Sequence, residues 1–222
     1  VLFGRDSGIG IGGNVLFMED DLGGTPELGD HFGSALAAGD FDGDGRDDLA
    51  IGVPGEDLGG LVDCGNVGEV FGSAGGIDFA RSQGWDEDRI FAAGYTETDD
   101  RFGQALAAGD FDRDGFDDLA IGHPGEDYWG ANDGAVSVLV GSPGFGLTGN
   151  RDLQFGEGFS GYPGDPNQPD RDLGFALAAG DFDGDGHADL AIGLPYRTAG
   201  GIEDAGAETV LFGSLFSNGF ES

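Results

Sequence analysis

The feature that most limits what this chain can fold into is internal repetition. Three segments superimpose almost without gaps: Phe32-Gly33-Ser34-Ala35-Leu36-Ala37-Ala38-Gly39-Asp40, Phe102-Gly103-Gln104-Ala105-Leu106-Ala107-Ala108-Gly109-Asp110 and Leu173-Gly174-Phe175-Ala176-Leu177-Ala178-Ala179-Gly180-Asp181. Their first residues stand 70 and then 71 positions apart. Each continues into Asp-Leu-Ala-Ile-Gly-x-Pro, at residues 48–54, 118–124 and 189–195. Each closes on an apolar string ending in glycine: Val70-Phe71-Gly72, Leu139-Val140-Gly141 and Leu211-Phe212-Gly213. A period of this kind marks one supersecondary unit that buries its apolar faces by stacking on its neighbours. The units run roughly over 5–72, 73–141 and 142–213, with a tail at 214–222. Val1-Leu2-Phe3-Gly4 matches the closing string of a unit, so the chain is expected to begin on the end of a preceding repeat.

The local patterns are those of strands. In Leu49-Ala50-Ile51-Gly52 large and small residues alternate, as side chains on opposite faces of a sheet do. Val136-Ser137-Val138-Leu139-Val140 is rich in β-branched side chains. The small residues Ala35–Gly39 suit a strand lying where backbones converge. A weaker fourth strand is expected before each Phe-Gly, around Val15–Met18, Arg89–Phe91 and Leu153–Phe155. The 48 glycines bring the composition toward that of low-complexity chains, but 38% hydrophobic residues and 18 phenylalanines at recurring positions argue for a folded, turn-rich protein. Four short strands per unit with no helical period predict an all-β chain with one β-propeller blade per repeat. Propellers close with about four to eight blades, and an arc of three leaves open strand edges. Further blades, from additional sequence or a partner chain, are therefore expected.

Charge narrows the partners. Nine basic residues against 43 acidic ones give a net charge of −34, which repels phosphate backbones and anionic lipid and argues against nucleic acid as a ligand. No apolar run approaches the length of about 18 residues that a membrane span needs, so membrane insertion is not expected. Cys64 is the single cysteine, which rules out an internal disulfide.

The acids are clustered. Asp40-Phe41-Asp42-Gly43-Asp44-Gly45-Arg46-Asp47-Asp48 recurs as 110–118 and 181–189. Calcium takes roughly six to eight oxygens at about 2.4 Å, and a tight loop supplies them when alternate residues turn inward. Positions 1, 3, 5 and 9 provide carboxylates: Asp40, Asp42, Asp44 and Asp48; Asp110, Asp112, Asp114 and Asp118; Asp181, Asp183, Asp185 and Asp189. Gly45, Gly115 and Gly186 at position 6 permit the bend. Position 7 then offers a backbone carbonyl, from Arg46, Phe116 and His187, whose side chains have nothing in common. An acidic turn without an ion is the weaker reading, because four carboxylates forced together repel one another. Position 12 is Ile51, Ile121 or Ile192 rather than the glutamate of an EF-hand. Three Ca²⁺ sites are predicted.

These units resemble the FG-GAP repeats of integrin α-subunit propellers and of bacterial integrin-like proteins. The resemblance rests on Phe32-Gly33 with Gly52-Val53-Pro54, and on Phe102-Gly103 with Gly122-His123-Pro124. The third unit departs, with Leu173 for phenylalanine, Gly193-Leu194-Pro195, and no counterpart of the Pro-Gly-Glu-Asp at 54–57 and 124–127. The resemblance implies a propeller with calcium in the hairpin between the first two strands of each blade. It also implies ligand-contacting loops on the other face: Gly23–Asp30, Tyr95–Arg101 and Gly161–Asp172, with Glu56–Gly65, Glu126–Gly134 and Tyr196–Gly206. Within them Tyr128-Trp129 is the aromatic pair suited to a binding anchor.

The function expected is a calcium-stabilised structural or adhesive module of a secreted or cell-surface protein, with an unidentified protein or glycan ligand. A carbohydrate-binding propeller and a non-catalytic accessory domain of a secreted hydrolase are the alternatives. Catalysis is not expected, since His31, His123 and His187 have no nucleophile at a recognisable spacing.

Overall fold

The computed structural model describes residues 1, 4–5, 8–9, 15–91, 95–127, 133–156, 172–198 and 201–213. A two-residue pairing of β1 (Gly4–Arg5) with β2 (Gly8–Ile9) precedes three antiparallel sheets. The first sheet holds β3 (Leu36–Gly39), β4 (Asp48–Val53), β5 (Asn66–Ser73) and β6 (Gly76–Trp85) in sequence order. The second repeats that order with β7 (Ala105–Gly109), β8 (Asp118–His123), β9 (Ala135–Val140) and β10 (Thr148–Phe155). The third contains β11 (Ala176–Gly180), β12 (Asp189–Leu194) and β13 (Ala207–Leu211). The chain is mostly β, with three sheets matching the three repeats, β6 and β10 lying beyond residues 72 and 141, where the first two units were expected to end. The 3-10 turn Glu19–Leu22 precedes the first sheet, and α1 (Glu87–Ile90) lies between the first and second.

Two of the three weak strands fall elsewhere than expected. Val15–Met18 is not a strand, and Arg89–Phe91 falls on α1 and its end. The fourth strand of the first sheet is instead β6, which returns from β5 across the Ser73–Gly76 turn. Most of β6 is half-buried or exposed, so it lacks the apolar alternation by which a strand announces itself. Leu153–Phe155 does lie in a strand, as the end of β10. The residues that would supply a fourth strand after β13 lie outside the described ones.

Packing occurs between consecutive sheets, and alternation along the central strands decides which residue serves which core. Leu119 and Ile121 of β8 join Phe41, Val67, Trp85 and Phe102 between the first and second sheets. Ala120, from the other face of β8, joins Phe111, Val136, Val138, Leu173 and Leu190 between the second and third. The second residue of each Asp loop is a plug: Phe41 and Phe111 have no exposed surface, whereas Phe182 in the third loop is 52% exposed.

The repeated Phe-Gly and Gly-x-Pro glycines mark the seams. Gly33 N–H donates to Gly52 O (3.0 Å), and Gly103 N–H to Gly122 O (3.2 Å), closing each unit on itself. The next unit then lies against the same glycine. A Cβ on Gly52 would sit 2.1 Å from the carbonyl oxygen of Gly103, and one on Gly122 would sit 2.0 Å from that of Gly174. Backbone bonds continue the seam, from Phe102 N–H to Cys64 O (2.9 Å) and from Leu173 N–H to Asp133 O (3.2 Å). Only a residue without a side chain allows two backbones this close. Gly122→Ala is therefore expected to cost at least about 2 kcal/mol by overpacking, read as a lower denaturant midpoint. An unchanged midpoint would show that the seam is not a tight contact.

Candidate metal centres

Each Asp loop joins the first two strands of its sheet, and its carboxylates are held by the loop itself. Asp40 accepts from the N–H groups of Asp44 (3.0 Å) and Gly45 (2.9 Å), and Asp110 from those of Asp114 (3.1 Å) and Gly115 (3.2 Å). Asp181 accepts from Gly184 (2.7 Å) and Gly186 (3.0 Å). The bend that makes this possible falls on Gly45, Gly115 and Gly186, with φ of 85°, 93° and 89°, the left-handed region where a side chain is strained. The carboxylate at position 9 reaches further. Asp48 accepts from Phe41 N–H (3.1 Å) and from Gly72 N–H at the end of the third strand (2.9 Å). Asp118 does the same with Phe111 (2.9 Å) and Gly141 (3.0 Å), and Asp189 with Phe182 (2.8 Å) and Gly213 (2.7 Å). The closing glycine of each repeat thus answers to the last aspartate of its loop.

Three of the four predicted carboxylates converge in every loop. Asp40, Asp42 and Asp48 each offer an oxygen within 4.8 Å of the others, as do Asp110, Asp112 and Asp118, and Asp181, Asp183 and Asp189. The position-5 carboxylates are not part of these groups. Asp44 pairs with Arg46 (2.8 Å), Asp114 accepts from Phe116 N–H (3.0 Å), and Asp185 pairs with Arg113 (3.0 Å). Of the position-7 residues, His187 has its ring outside the third cluster. The donors are oxygen only, which suits a hard divalent cation such as calcium over a softer metal. Burial pushes Asp48 up to about 6, and the Asp42 charge adds to the rise. Burial likewise raises Asp118 to about 7, with Asp112 adding. Arg81 of β6 offsets part of the charge in the first loop, 2.8 Å from Asp42.

A second set of acids, which the sequence reading did not single out, lies at the other end of the sheets. In the second unit Glu87, His123 and Glu126 are buried together, with His123 Nδ1 2.9 Å from Glu87 and 3.4 Å from Glu126. Burial works against a charged imidazole, but Glu87 and Glu126 outweigh it and hold His123 protonated up to about 10. Burial in turn pushes Glu87 up, against the pull of the His123 ring, while that ring outweighs burial at Glu126 and holds it below the usual carboxylate range. His123 Nε2 stands 2.9 Å from Ser137 Oγ. Serine, histidine and glutamate thus line up as a hydrolytic relay does, yet Ser137 and His123 are 0% exposed and Glu87 1%. In the first unit the corresponding group is Glu19, Asp30 and Glu56. The clue in the sequence was the Glu repeated after Pro-Gly, at 56 and 126.

The loops proposed to contact ligand enter the first strand or leave the second, and their described residues lie at this same end, away from the Asp loops. Loop 56–65 also bonds the next unit, with Asp99 N–H donating to Val62 O (2.9 Å) and Arg101 N–H to Asp63 O (3.1 Å). Tyr128-Trp129 and most of Gly161–Asp172 lie outside the described residues.

Comparison with known proteins agrees with this geometry. The model of the FG-GAP repeat matches residues 32–71, 102–139 and 173–211, just over half of the chain. Phosphatidylinositol-glycan-specific phospholipase D of Rattus norvegicus is 33% identical over 171 residues, covering 76% of this chain and 19% of the relative. Integrin alpha-PS2 of Drosophila melanogaster is 36% identical over 177 residues, 75% of this chain and 12% of the relative. Integrin alpha-5 of Xenopus laevis is 34% identical over 174 residues, covering 75% and 15%. The chain spans about a fifth or less of the length of these relatives.

The raised carboxylates give a pH dependence of definite sign. A group whose pKa is higher in the folded state adds stability at low pH and loses it as pH rises through the folded value, here about 6 for Asp48 and about 7 for Asp118. Protein stripped of divalent ions is expected to melt higher at pH 5 than at pH 8. A cation that needs bare carboxylates reverses the order, so added calcium should raise the melting temperature more at pH 8 than at pH 5. Scanning calorimetry at the two pH values reads both effects, and an ion-free protein more stable at pH 8 would contradict the assignment.

Proposed function

The chain belongs to the FG-GAP repeat family, and from that premise we propose that it is a calcium-binding β-propeller segment with a structural or adhesive, protein-binding role in a secreted or cell-surface protein. The observation that carries the reading is the threefold convergence of aspartate oxygens in the hairpins. In this reading Asp40, Asp42 and Asp48 and their counterparts hold calcium, joined by the carbonyls of Arg46, Phe116 and His187. Asp44, Asp114 and Asp185 complete the shell by leaving their present partners. The half-exposed Phe182 supports a blade stacking beyond the third sheet, as in a propeller of more than three blades.

A non-catalytic role is supported by what the relatives share. Integrin alpha chains and a phospholipase D differ in activity by name, yet both match this segment at similar identity. The Ser137-His123-Glu87 alignment has no exposed nucleophile. The phospholipase D relatives favour a second setting, an accessory module beside a hydrolase domain. Carbohydrate binding has less support, since Trp85 is 5% exposed and packed between sheets. The loops opposite the hairpins expose Leu28, Val62, Tyr95, Tyr196 and Ile202, apolar surface of the kind that docks on protein.

Calcium at about 100 times its dissociation constant adds about 2.7 kcal/mol per site. For a chain of this size about 1 kcal/mol moves the melting temperature by 2–4 °C. Adding EGTA to calcium-loaded protein is therefore expected to lower the melting temperature by at least about 10 °C, and Asp183→Asn to remove one bound ion. Melting that ignores the chelator would overturn the proposal.

A further inference from the structure

The acids at the end of the sheets opposite the hairpins occupy equivalent places in the first two units. Glu19 and Glu87 each begin a short helical turn. Asp30 and Asp100 stand two residues before Phe32 and Phe102, and Glu56 and Glu126 two residues after Pro54 and Pro124. The units differ in what neutralises them. In the second, the protonated ring of His123 lies among the acids. The third changes the acids themselves, with Arg197 in the place of Glu56 and Arg171 in that of Asp30. The first keeps all three acids but has Val53 where the histidine stands.

Glu19 is 7% and Asp30 5% exposed, Glu56 is half-buried, and the three bring oxygens within 4.8 Å of one another. Oε1 of Glu19 and Oε2 of Glu56 are buried without a hydrogen-bond partner. A buried carboxylate oxygen left unpaired is among the costliest arrangements in a protein. After burial itself, the strongest influences on Glu56 are the negative charges of Glu19 and Asp30, and together they push it up to about 7. The cluster is not sealed. Glu19 and Glu56, with Glu27 and Asp57, line a pocket of about 450 Å³.

We propose that Glu19, Asp30 and Glu56 form a further site for a hard divalent cation, calcium by its donor set, at the end of the first sheet opposite the Asp hairpins. Three carboxylates supply up to six oxygens, and the pocket admits the water that completes a calcium shell. The ion does in the first unit what His123 does in the second. The rival arrangement is a cluster neutralised by protons alone.

The two are separated by counting ions. Calcium bound to the full chain at pH 7.5 is measured by equilibrium dialysis for the wild type, Glu56→Gln and Glu56→Arg, the last reproducing the third unit. Each variant is expected to bind one ion fewer than the wild type. Stripped of ions, both should melt higher than the wild type because repulsion is relieved, and in millimolar calcium that order should reverse. The difference in count reads this site whatever the hairpins bind. Variants that bind as many ions as the wild type would overturn the proposal, as would a melting order that calcium leaves unchanged. Should Glu56→Gln not fold, Glu56→Arg carries the comparison alone.

Discussion

Buried carboxylate is the constraint on which the rest of this structure turns. Asp48, Asp118, Glu69 and Glu87 are each 1% exposed or less, and a charge taken out of water is tolerated only when donors or cations surround it. The chain meets this in three ways. The position-9 aspartates collect backbone N–H groups from the loop and from the end of the third strand. Glu69 accepts from Trp85 Nε1 (3.2 Å) and from Leu147 N–H, just before β10 of the second sheet (3.0 Å). Glu87 and Glu126 take a protonated imidazole. Where donors run short, as at Glu19 and Glu56, a carboxylate oxygen is left without a hydrogen-bond partner.

The Asp loops also help to join one sheet to the next, beside the shared apolar cores. The Asp117 carboxylate of the second loop accepts from Asp40 N–H of the first (2.9 Å), while Asp117 N–H donates to Asp40 O (3.2 Å). Ser142 N–H reaches Phe41 O (3.0 Å), and Gly144 N–H reaches Asp42 O (2.7 Å). Arg81 links Asp42 to Gly144 O (3.1 Å) while stacking on Phe71, 3.9 Å from its ring centre. The hairpin that gathers carboxylates is thus a wall of the neighbouring sheet's turn, and Phe41 beside it fills the shared core.

What was legible in the sequence follows from how each feature is encoded. The Asp loops, their glycines and the central strands depend on short-range spacing, so repetition alone displayed them. Strand β6 did not show, because a half-exposed strand with Asp78, Arg81 and Gln83 has no clean alternation, and its pairing comes from the turn rather than from its own pattern. The departure of Asp44, Asp114 and Asp185 from the clusters was hidden for a different reason. Positions 1, 3 and 9 are held in place by backbone N–H groups, whereas position 5 is left to whichever cation or amide lies nearest. The Glu87-His123-Glu126 group was hardest to see, since it assembles residues from α1, the end of β8 and the loop beyond, and only the repeated Pro-Gly-Glu pointed to it.

The coupling between loops also bears on how the repeats share stability. In a simple stack each repeat has its own stability plus a term for each neighbour. Here the two are not separable, because the groups that steady one hairpin are the same groups that bond the next sheet. Asp42 shows this: its carboxylate meets Arg81 (2.8 Å) and its carbonyl accepts from Gly144 N–H (2.7 Å) of the neighbouring turn. Compensating that charge therefore acts across the seam, where a net charge of −34 otherwise works against compactness. The positive counter-charges in this chain are few, nine against 43 acidic residues, and two of them, Arg81 and Arg113, reach across a seam, to Gly144 O and to Asp185.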